Sequence, residues 1–184
     1  MFLDIAVGIF LAAGVSWVFA EPLTWQIIAA TALLALFPDI DFWVEFLKHG
    51  SVGGKAIREH RELLHYPLSY IPPLAVVFYF AGAFWGTLAI LALVWHFLHD
   101  SVGAGWGIRW FWPFSKRPYK FFSEKDGAFS SRFIVSWNDA ELRQIVAEHG
   151  NPNWMRNIYL RPSPTLIIEL AVLFTAFAFL FLYQ

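Results

Sequence analysis

Long apolar stretches alternate with short polar connections along the 184 residues of the chain. A helix that spans a bilayer needs about 20 residues, and about 17 are tolerated. Two of the apolar stretches, the first and the fifth, are long enough to span a bilayer by themselves, and the other three are shorter. The pattern predicts an all-α integral membrane protein with about five transmembrane helices, some of them short. The five stretches are Leu3–Ala20, Leu23–Phe37, Leu68–Phe84, Thr87–Leu98 and Leu166–Leu182.

The third and fourth stretches are separated by Gly82 and Gly86, and they allow two interpretations. One continuous helix over residues 68–99 would be about 48 Å long, whereas a hydrocarbon core measures about 30 Å. The glycines favour a tight hairpin instead. All 13 Lys and Arg residues lie in two connections, residues 48–61 and 109–161, and the hairpin brings both to one side. The positive-inside bias therefore predicts five spans with the N-terminus and both connections in the cytoplasm.

The composition supports a membrane protein and excludes several kinds of partner and catalytic site. Hydrophobic residues make up 58% of the chain and charged residues 15%, against about half and about a quarter in soluble domains. A net charge of -1 argues against a nucleic-acid partner. The absence of cysteine excludes disulfides, thiolate catalysis and Cys-ligated metals. Membrane lipid is the predicted partner, and the cytoplasmic (inner) membrane is the predicted location.

Three regions are predicted along the chain. Residues 1–108 form a helical membrane domain, residues 109–161 an interfacial or cytoplasmic region, and residues 162–184 a C-terminal transmembrane helix. The middle region begins with aromatic rings among cations such as Lys116 and Lys120, a mixture typical of the membrane–water interface. Further on, Asn138 and Glu141 predict a capped short helix that Gly150 ends.

Residues that can bind metals gather at the ends of the apolar stretches. Under the five-span topology all of them face the cytoplasm, and His with Asp suits zinc, manganese, iron or magnesium. An acidic pair after a helix is usually a cap, and a helical His/Asp pair is often structural. The convergence of three segment ends favours a metal site over those two interpretations. The residues are Asp39, Asp41, His60, His65, His96, His99 and Asp100.

The spacing of these residues adds local expectations. His96 and Asp100 are four positions apart, so they share one helical face and can reach a common ion. Asp39 and Asp41 would share a face if the chain is extended there. His60 and the next histidine lie five positions apart, which predicts a turn between them.

Four short motifs, together with the order in which they occur along the chain, resemble those of the YdjM/YbcI-type family of membrane-bound, predicted metal-dependent hydrolases. The resemblance covers roughly residues 1–120 and implies a multi-span helical protein with a metal centre of His and Asp. Three positions, Asp4, Leu64 and Tyr66, differ from the family pattern. Asp4 and Gly8 stand where members commonly have His and Gly, and Leu64 and Tyr66 flank His65 instead of Thr and Ser. The motifs are Pro-Asp-Ile-Asp at Pro38–Asp41, His-Arg-x-x-x-His at His60–His65, His-x-x-x-Asp at His96–Asp100 and Trp-Pro-Phe-Ser at Trp112–Ser115.

The predicted function is a metal-dependent hydrolase. Six candidate ligands exceed the three or four that one zinc ion needs, so a centre of two divalent ions (Zn, Mn or Mg) fits a phosphoesterase. A metal-bound water would attack, Arg61 would hold a phosphate oxygen, and His99 would donate a proton or orient a ligand. The candidate metal ligands are Asp39, Asp41, His60, His65, His96 and Asp100, with Asp4 as a further candidate.

The substrate class follows from the short second stretch, which would leave a polar site recessed below the membrane surface among Trp and Phe side chains. A lipid or lipid-linked phosphoester suits such a site. Two other classes remain open. A transporter of metal ions or protons would need polar groups along the full depth of the membrane. A non-catalytic scaffold would use residues 109–161 to bind a partner.

Overall fold

The computed structural model describes residues 1–50, 52, 63–103, 105–122, 124–125, 128–129, 133–151, 153 and 155–183. This part of the chain is mostly helical. Four of its helical segments are long and apolar enough to cross a membrane. The prediction of a helical membrane protein is therefore confirmed. The four segments are Phe2–Phe19, Trp25–His49, Pro67–Val102 and Pro164–Tyr183.

The first two segments contain three helices, α1 (Phe2–Phe19), α2 (Trp25–Leu36) and α3 (Ile40–His49). Thr24 caps α2, since its hydroxyl oxygen accepts a hydrogen bond from the backbone N–H of Ile27 at 3.4 Å. The amphipathic helix α3 was not predicted, because the Pro-Asp pair after α2 resembles a helix end. A 3-10 turn at Phe37–Asp39 instead leads directly from α2 into α3.

This turn corrects the expectation of extended chain around the two acids. Asp39 is the N-cap residue of α3, with φ -73° and ψ 1°, and Asp41 lies in the first helical turn. The extended conformation is wrong because the proline-containing turn keeps the backbone near helical values, so α3 begins at once. The two carboxyl groups are therefore placed by a helix start and not by a strand.

Helix α4 (Ile71–Val102) is broken at Gly82, whose φ of 83° and ψ of 176° are far from helical values. The ring of Phe78 lies against Gly86, so that a Cβ atom at Gly86 would be 2.5 Å from a ring carbon. In a straight helix, residues eight positions apart are separated by about 12 Å along the axis. The chain therefore turns sharply at Gly82. The predicted break at the glycines is confirmed, and a single straight helix is excluded.

The chain divides into two compact units, of which the first contains Met1–Pro38, Ile71–His96 and Leu160–Gln184. Its last helix is α6 (Pro164–Tyr183). Helices α1 and α2 meet closely where a Cβ at Gly8 would lie 2.7 Å from the Cα of Ala32. Small residues at such contacts are typical of packed membrane helices. The buried core consists of Ala6, Ile9, Ala12, Val15, Ile27, Ile28, Leu88, Ala176 and Leu180.

The second unit contains Asp39–Tyr70 and Phe97–Tyr159. Strand β1 (Tyr119–Phe121) pairs with β4 (Ile134–Ser136), and β2 (Glu124–Lys125) pairs with β3 (Ala128–Phe129), both antiparallel. These two ribbons were not predicted. Further along are α5 (Asp139–His149) and a π-helical turn at Met155–Tyr159. Two 3-10 turns, Leu63–His65 and Pro67–Tyr70, precede α4.

Helix α5 confirms the predicted cap. The Asn138 side chain accepts hydrogen bonds from the backbone N–H groups of Ala140 and Glu141, at 2.9 and 3.0 Å. The Glu141 carboxylate in turn accepts from the N–H of Asn138 at 2.8 Å, which completes a capping box. The helix ends before Gly150, as the sequence predicted. Its buried face packs in a small cluster with Trp137.

Candidate metal centre

His65 is the most enclosed of the predicted ligands that the structure describes in the second unit. Its side chain is completely buried, and it ends the 3-10 turn Leu63–His65. Two neighbouring hydroxyls fix this loop. Tyr70 donates a hydrogen bond to the carbonyl oxygen of Leu64 at 2.8 Å, and Ser69 donates to that of Tyr66 at 2.6 Å. These bonds hold the backbone on both sides of the histidine, so its ring is placed by a constrained loop.

Three carboxylates surround the His65 ring. Asp41 Oδ2 lies 3.0 Å from Nδ1, and Asp100 Oδ2 lies 3.4 Å from Nε2. Asp39 Oδ1 is 3.8 Å from the same Nε2 atom. Among the residues that the structure describes, the imidazole supplies at most one positive charge beside these three carboxylates. Buried charge of one sign is costly, and a cation bound among these groups would offset it.

The pKa of His65 reflects this environment. Burial by itself lowers the pKa, but the hydrogen bonds and charges of Asp100 and Asp41 outweigh it. The net effect raises the pKa of His65 from 6.5 to about 9. The surrounding acids therefore stabilise a positive charge at the position of the ring. The same arrangement would attract a metal cation.

The two nitrogens of His65 face different groups. Asp41 lies on the Nδ1 side, whereas Asp39 and Asp100 lie on the Nε2 side. When Nδ1 donates its proton to Asp41, the lone pair of the neutral ring is on Nε2. Metal-binding histidines commonly donate their other N–H to a carboxylate in this way. Asp41 Oδ1 is also buried, and it has no hydrogen-bond partner among the residues that the structure describes.

His96 is likewise buried, with 1% of its surface exposed. Its Nδ1 atom lies 2.8 Å from the carbonyl oxygen of Ala35 within the first unit. A carbonyl oxygen only accepts, so Nδ1 carries the proton and the lone pair of the neutral ring is on Nε2. Asp39, His65 and His96 form a group that could hold a metal ion. The described residues therefore contain a possible His/Asp metal site, and the full set of predicted ligands stays a prediction.

Four further residues were predicted for the site, namely Asp4, His60, Arg61 and His99. Asp4 is buried at the start of α1, and its carboxylate lies 2.8 Å from the amino group of Met1, within the first unit. His99 is half-buried on α4, three positions after His96. His60 and Arg61 lie outside the described residues, so the predicted turn before His65 and the phosphate-binding role of Arg61 stay predictions.

The Trp-Pro-Phe-Ser motif has a structural role that the sequence analysis did not assign. The ring of Trp112 stacks on that of Tyr66, with centroids 4.6 Å apart and planes inclined by 13°. Arg109 donates one hydrogen bond to the Tyr66 hydroxyl at 3.3 Å and another to the carbonyl oxygen of Lys116 at 3.0 Å. The motif therefore helps to hold Tyr66, the residue that follows His65, in place. In the sequence, the available signal for this structural role was the position of Tyr66 directly beside His65.

Comparison with known proteins identifies one family. A family model described as YdjM inner membrane protein matches residues 3–184. The match includes the C-terminal third of the chain, which carries none of the four motifs noted in the sequence. No curated protein and no solved structure matches the chain significantly.

Proposed function

Since the chain belongs to the YdjM inner membrane protein family, we propose that it is a membrane-bound, metal-dependent hydrolase of a lipid or lipid-linked phosphoester. The observation that carries the proposal is the set of three carboxylates around the buried His65 ring. A group of Asp and His side chains in a largely enclosed position is suited to a divalent cation. An imidazole has at most two N–H groups, so a merely structural hydrogen-bond network around it would use two carboxylates and not three.

The ligands we propose are Asp39, His65, His96 and Asp100. Each of the two imidazoles has its Nδ1 atom directed at an acceptor, which leaves Nε2 for the metal. Mixed nitrogen and oxygen ligands favour zinc or manganese over magnesium. Asp41 then acts as the carboxylate that orients His65. A centre of two ions, as the sequence analysis predicted, would require further ligands, and His60 is the remaining candidate histidine.

A divalent ion held by these residues would supply a hydroxide nucleophile, because it lowers the pKa of a bound water toward about 7. The protein contributes orientation and charge. Asp41 holds the Nδ1 proton of His65 and thereby keeps Nε2 in its metal-binding form. We assign Arg61 to a phosphate oxygen of the substrate and His99 to proton donation to the leaving group or to the orientation of a ligand.

We further propose five membrane spans, with the N-terminus and both basic connections in the cytoplasm and the site facing that side. The turn at Gly82 supports this topology, because it divides α4 into two legs. Reporter fusions after Ala20, Gly82 and Gln184 should report the outside, and fusions after Lys55 and Lys125 the inside. A cytoplasmic signal at Gly82 would contradict the hairpin and the shared face of the site.

The hydrolase activity can be tested with full-length protein in neutral detergent. Short-chain phosphatidic acid and a short-chain isoprenyl diphosphate are supplied with zinc or manganese, and released phosphate is measured. We expect hydrolysis that EDTA abolishes and added metal restores. Asp100→Asn should lose about 10²–10³-fold in rate. The matched control Glu148→Gln alters an acid whose side chain is 54% exposed, and it should retain full activity. Hydrolysis that is insensitive to EDTA would refute the proposal.

Metal-ion transport is the second candidate, and a specific observation favours it. Asp4 and Glu169 are almost fully buried in helices of the first unit that can span a membrane. Ionisable groups at such positions often mark ion pathways. Uptake of radioactive zinc or manganese into proteoliposomes would distinguish the two functions. Uptake that Glu169→Gln abolishes, without any hydrolysis by the wild type, would favour transport.

A further inference from the structure

We propose that the second unit contains a binding site for a phosphate group, separate from the metal ligands. Sites for drug-sized ligands measure about 300–1,000 Å³, so a smaller cavity would not hold a whole lipid. The cavity in question has a volume of about 260 Å³. It therefore suits a small polar group or a lipid head group. Its walls are formed by Tyr66, Arg109, Trp112, Lys116, Asp139, Leu142 and Arg143.

The charge of the cavity determines which ligand it would take. Among the described residues that line the cavity, three are cations, Arg109, Lys116 and Arg143, and one is an acid, Asp139. Lys116 and Arg143 have no ion-pair partner within the described part of the chain. A concave surface with an excess of positive charge concentrates anions. Arg and Lys together are the side chains that most often bind phosphate oxygens.

The cavity is built on fixed elements. Arg109 is held by its hydrogen bonds to the Tyr66 hydroxyl and the Lys116 carbonyl oxygen. The stacked rings of Tyr66 and Trp112 form an aromatic wall. Another lining residue, Leu142, is buried on α5, which the capping box anchors. A site whose side chains are already placed loses less conformational entropy when it binds a ligand.

The surroundings favour a phosphate at the membrane surface. Phe114 is 89% exposed and lies between the cavity residues Trp112 and Lys116 in sequence. Exposed aromatic rings beside cations are typical of protein segments that rest in the head-group layer. This segment would hold the cavity at the depth of lipid phosphates. The shared chemistry is a phosphate monoester, carried by a lipid head group or by a soluble ester.

The site can be tested by calorimetric titration of the full-length protein in neutral detergent. Sodium phosphate is one probe, and dihexanoyl phosphatidic acid is the other. Arg143→Gln and Lys116→Gln should each weaken binding about tenfold or more, because each removes a charge-assisted contact. Both side chains are exposed, so the variants should fold, and their thermal unfolding is measured in parallel. The matched control Arg117→Gln removes an adjacent exposed cation that does not line the cavity, and it should change affinity less than about twofold.

The outcomes distinguish binding in the cavity from binding at the metal centre. They also distinguish a lipid head group from a soluble phosphate ester. Tighter binding of the phosphatidic acid than of phosphate supports a lipid head group, and equal binding supports a soluble phosphate. Equal affinities in wild type and Arg143→Gln would overturn the proposal, as would an equal loss in Arg117→Gln. A phosphate signal that EDTA removes would belong to the metal centre and would also overturn it. Metal content, measured on the same samples, tests the metal centre independently.

Discussion

His65 and His96 are both buried, but their ring nitrogens face different groups. His65 has a carboxylate near each nitrogen and lies in a short 3-10 turn. His96 lies inside a long helix, and its Nδ1 atom donates to the backbone carbonyl oxygen of Ala35. A neutral carbonyl fixes the tautomer of a ring without adding charge, whereas carboxylates also make the site negative. The comparison indicates that the carboxylates around His65 set the charge of the proposed metal centre. His96 contributes an oriented neutral ligand.

The largest effect should come from His65→Ala. The substitution removes a ligand and leaves three largely enclosed carboxylates without their imidazole. We expect the bound metal to be lost and the free energy of unfolding to fall by about 3–5 kcal/mol. Metal content by mass spectrometry and thermal unfolding of the purified protein measure both. His149→Ala is the matched control, since that side chain is 60% exposed, and it should change neither. Full metal content in His65→Ala would contradict the account.

A smaller effect is expected for His96→Ala. The change removes a neutral ligand and leaves the buried carbonyl oxygen of Ala35 without its donor, which costs about 1–3 kcal/mol. The three carboxylates and His65 stay in place, so metal binding should weaken without disappearing. Titration of metal-free protein with zinc or manganese gives the affinity. A larger loss of stability and of bound metal in His96→Ala than in His65→Ala would contradict the different roles assigned to the two histidines.

Asp41→Asn tests the distinction between ligand and orienting group. If Asp41 only holds the Nδ1 proton of His65, the variant should bind the same number of ions with about 10–100-fold lower affinity. Asp139→Asn is a suitable control, because that acid also lies in the first turn of a helix. It should leave the metal affinity unchanged. A reduced number of bound ions in Asp41→Asn would show instead that Asp41 is itself a ligand.

The smallest expected effect is that of pH on metal affinity. The pKa of His65 is raised to about 9 by its carboxylates, so a proton must leave the ring before the metal binds. Affinity should therefore rise about tenfold per pH unit as the pH approaches 9, and it should level off above that value. Titrations at several pH values, with proton release measured in weakly buffered solution, check this. An affinity that does not change between neutral pH and pH 9 would contradict the raised pKa.

The sequence predicted the membrane class, the break in α4 and the residues around His65. Long apolar stretches and the glycines at the midpoint of α4 are local signals, and so is the Asn138 cap of α5. The positions of Asp39, Asp41 and Asp100 at segment ends were also visible. Their separate roles were not, because they depend on which nitrogen of His65 faces which carboxylate. That orientation is set by the turn at Leu63–His65 and by hydrogen bonds from residues farther along the chain.

Two other features could not be predicted for physical reasons. Helix α3 begins at Ile40, two residues after Pro38, and a proline after an apolar run usually marks the end of a helix. The paired strands β1 and β4 are only three residues long and are separated by 12 positions, so alternation cannot identify them. The cavity beside Tyr66 was missed for a similar reason. Its cations come from three places in the chain, and only the fold brings them together.

The central claim is that His and Asp side chains of this cluster bind a divalent metal ion. X-ray absorption spectroscopy of the purified, metal-loaded protein tests it most directly. The account predicts nitrogen and oxygen ligands at about 2.0–2.2 Å, with the outer-shell scattering typical of two imidazole rings. In His65→Ala protein loaded at high metal concentration, one imidazole should be missing. A wild-type spectrum with oxygen ligands alone, or a purified protein that binds no divalent ion, would contradict the account.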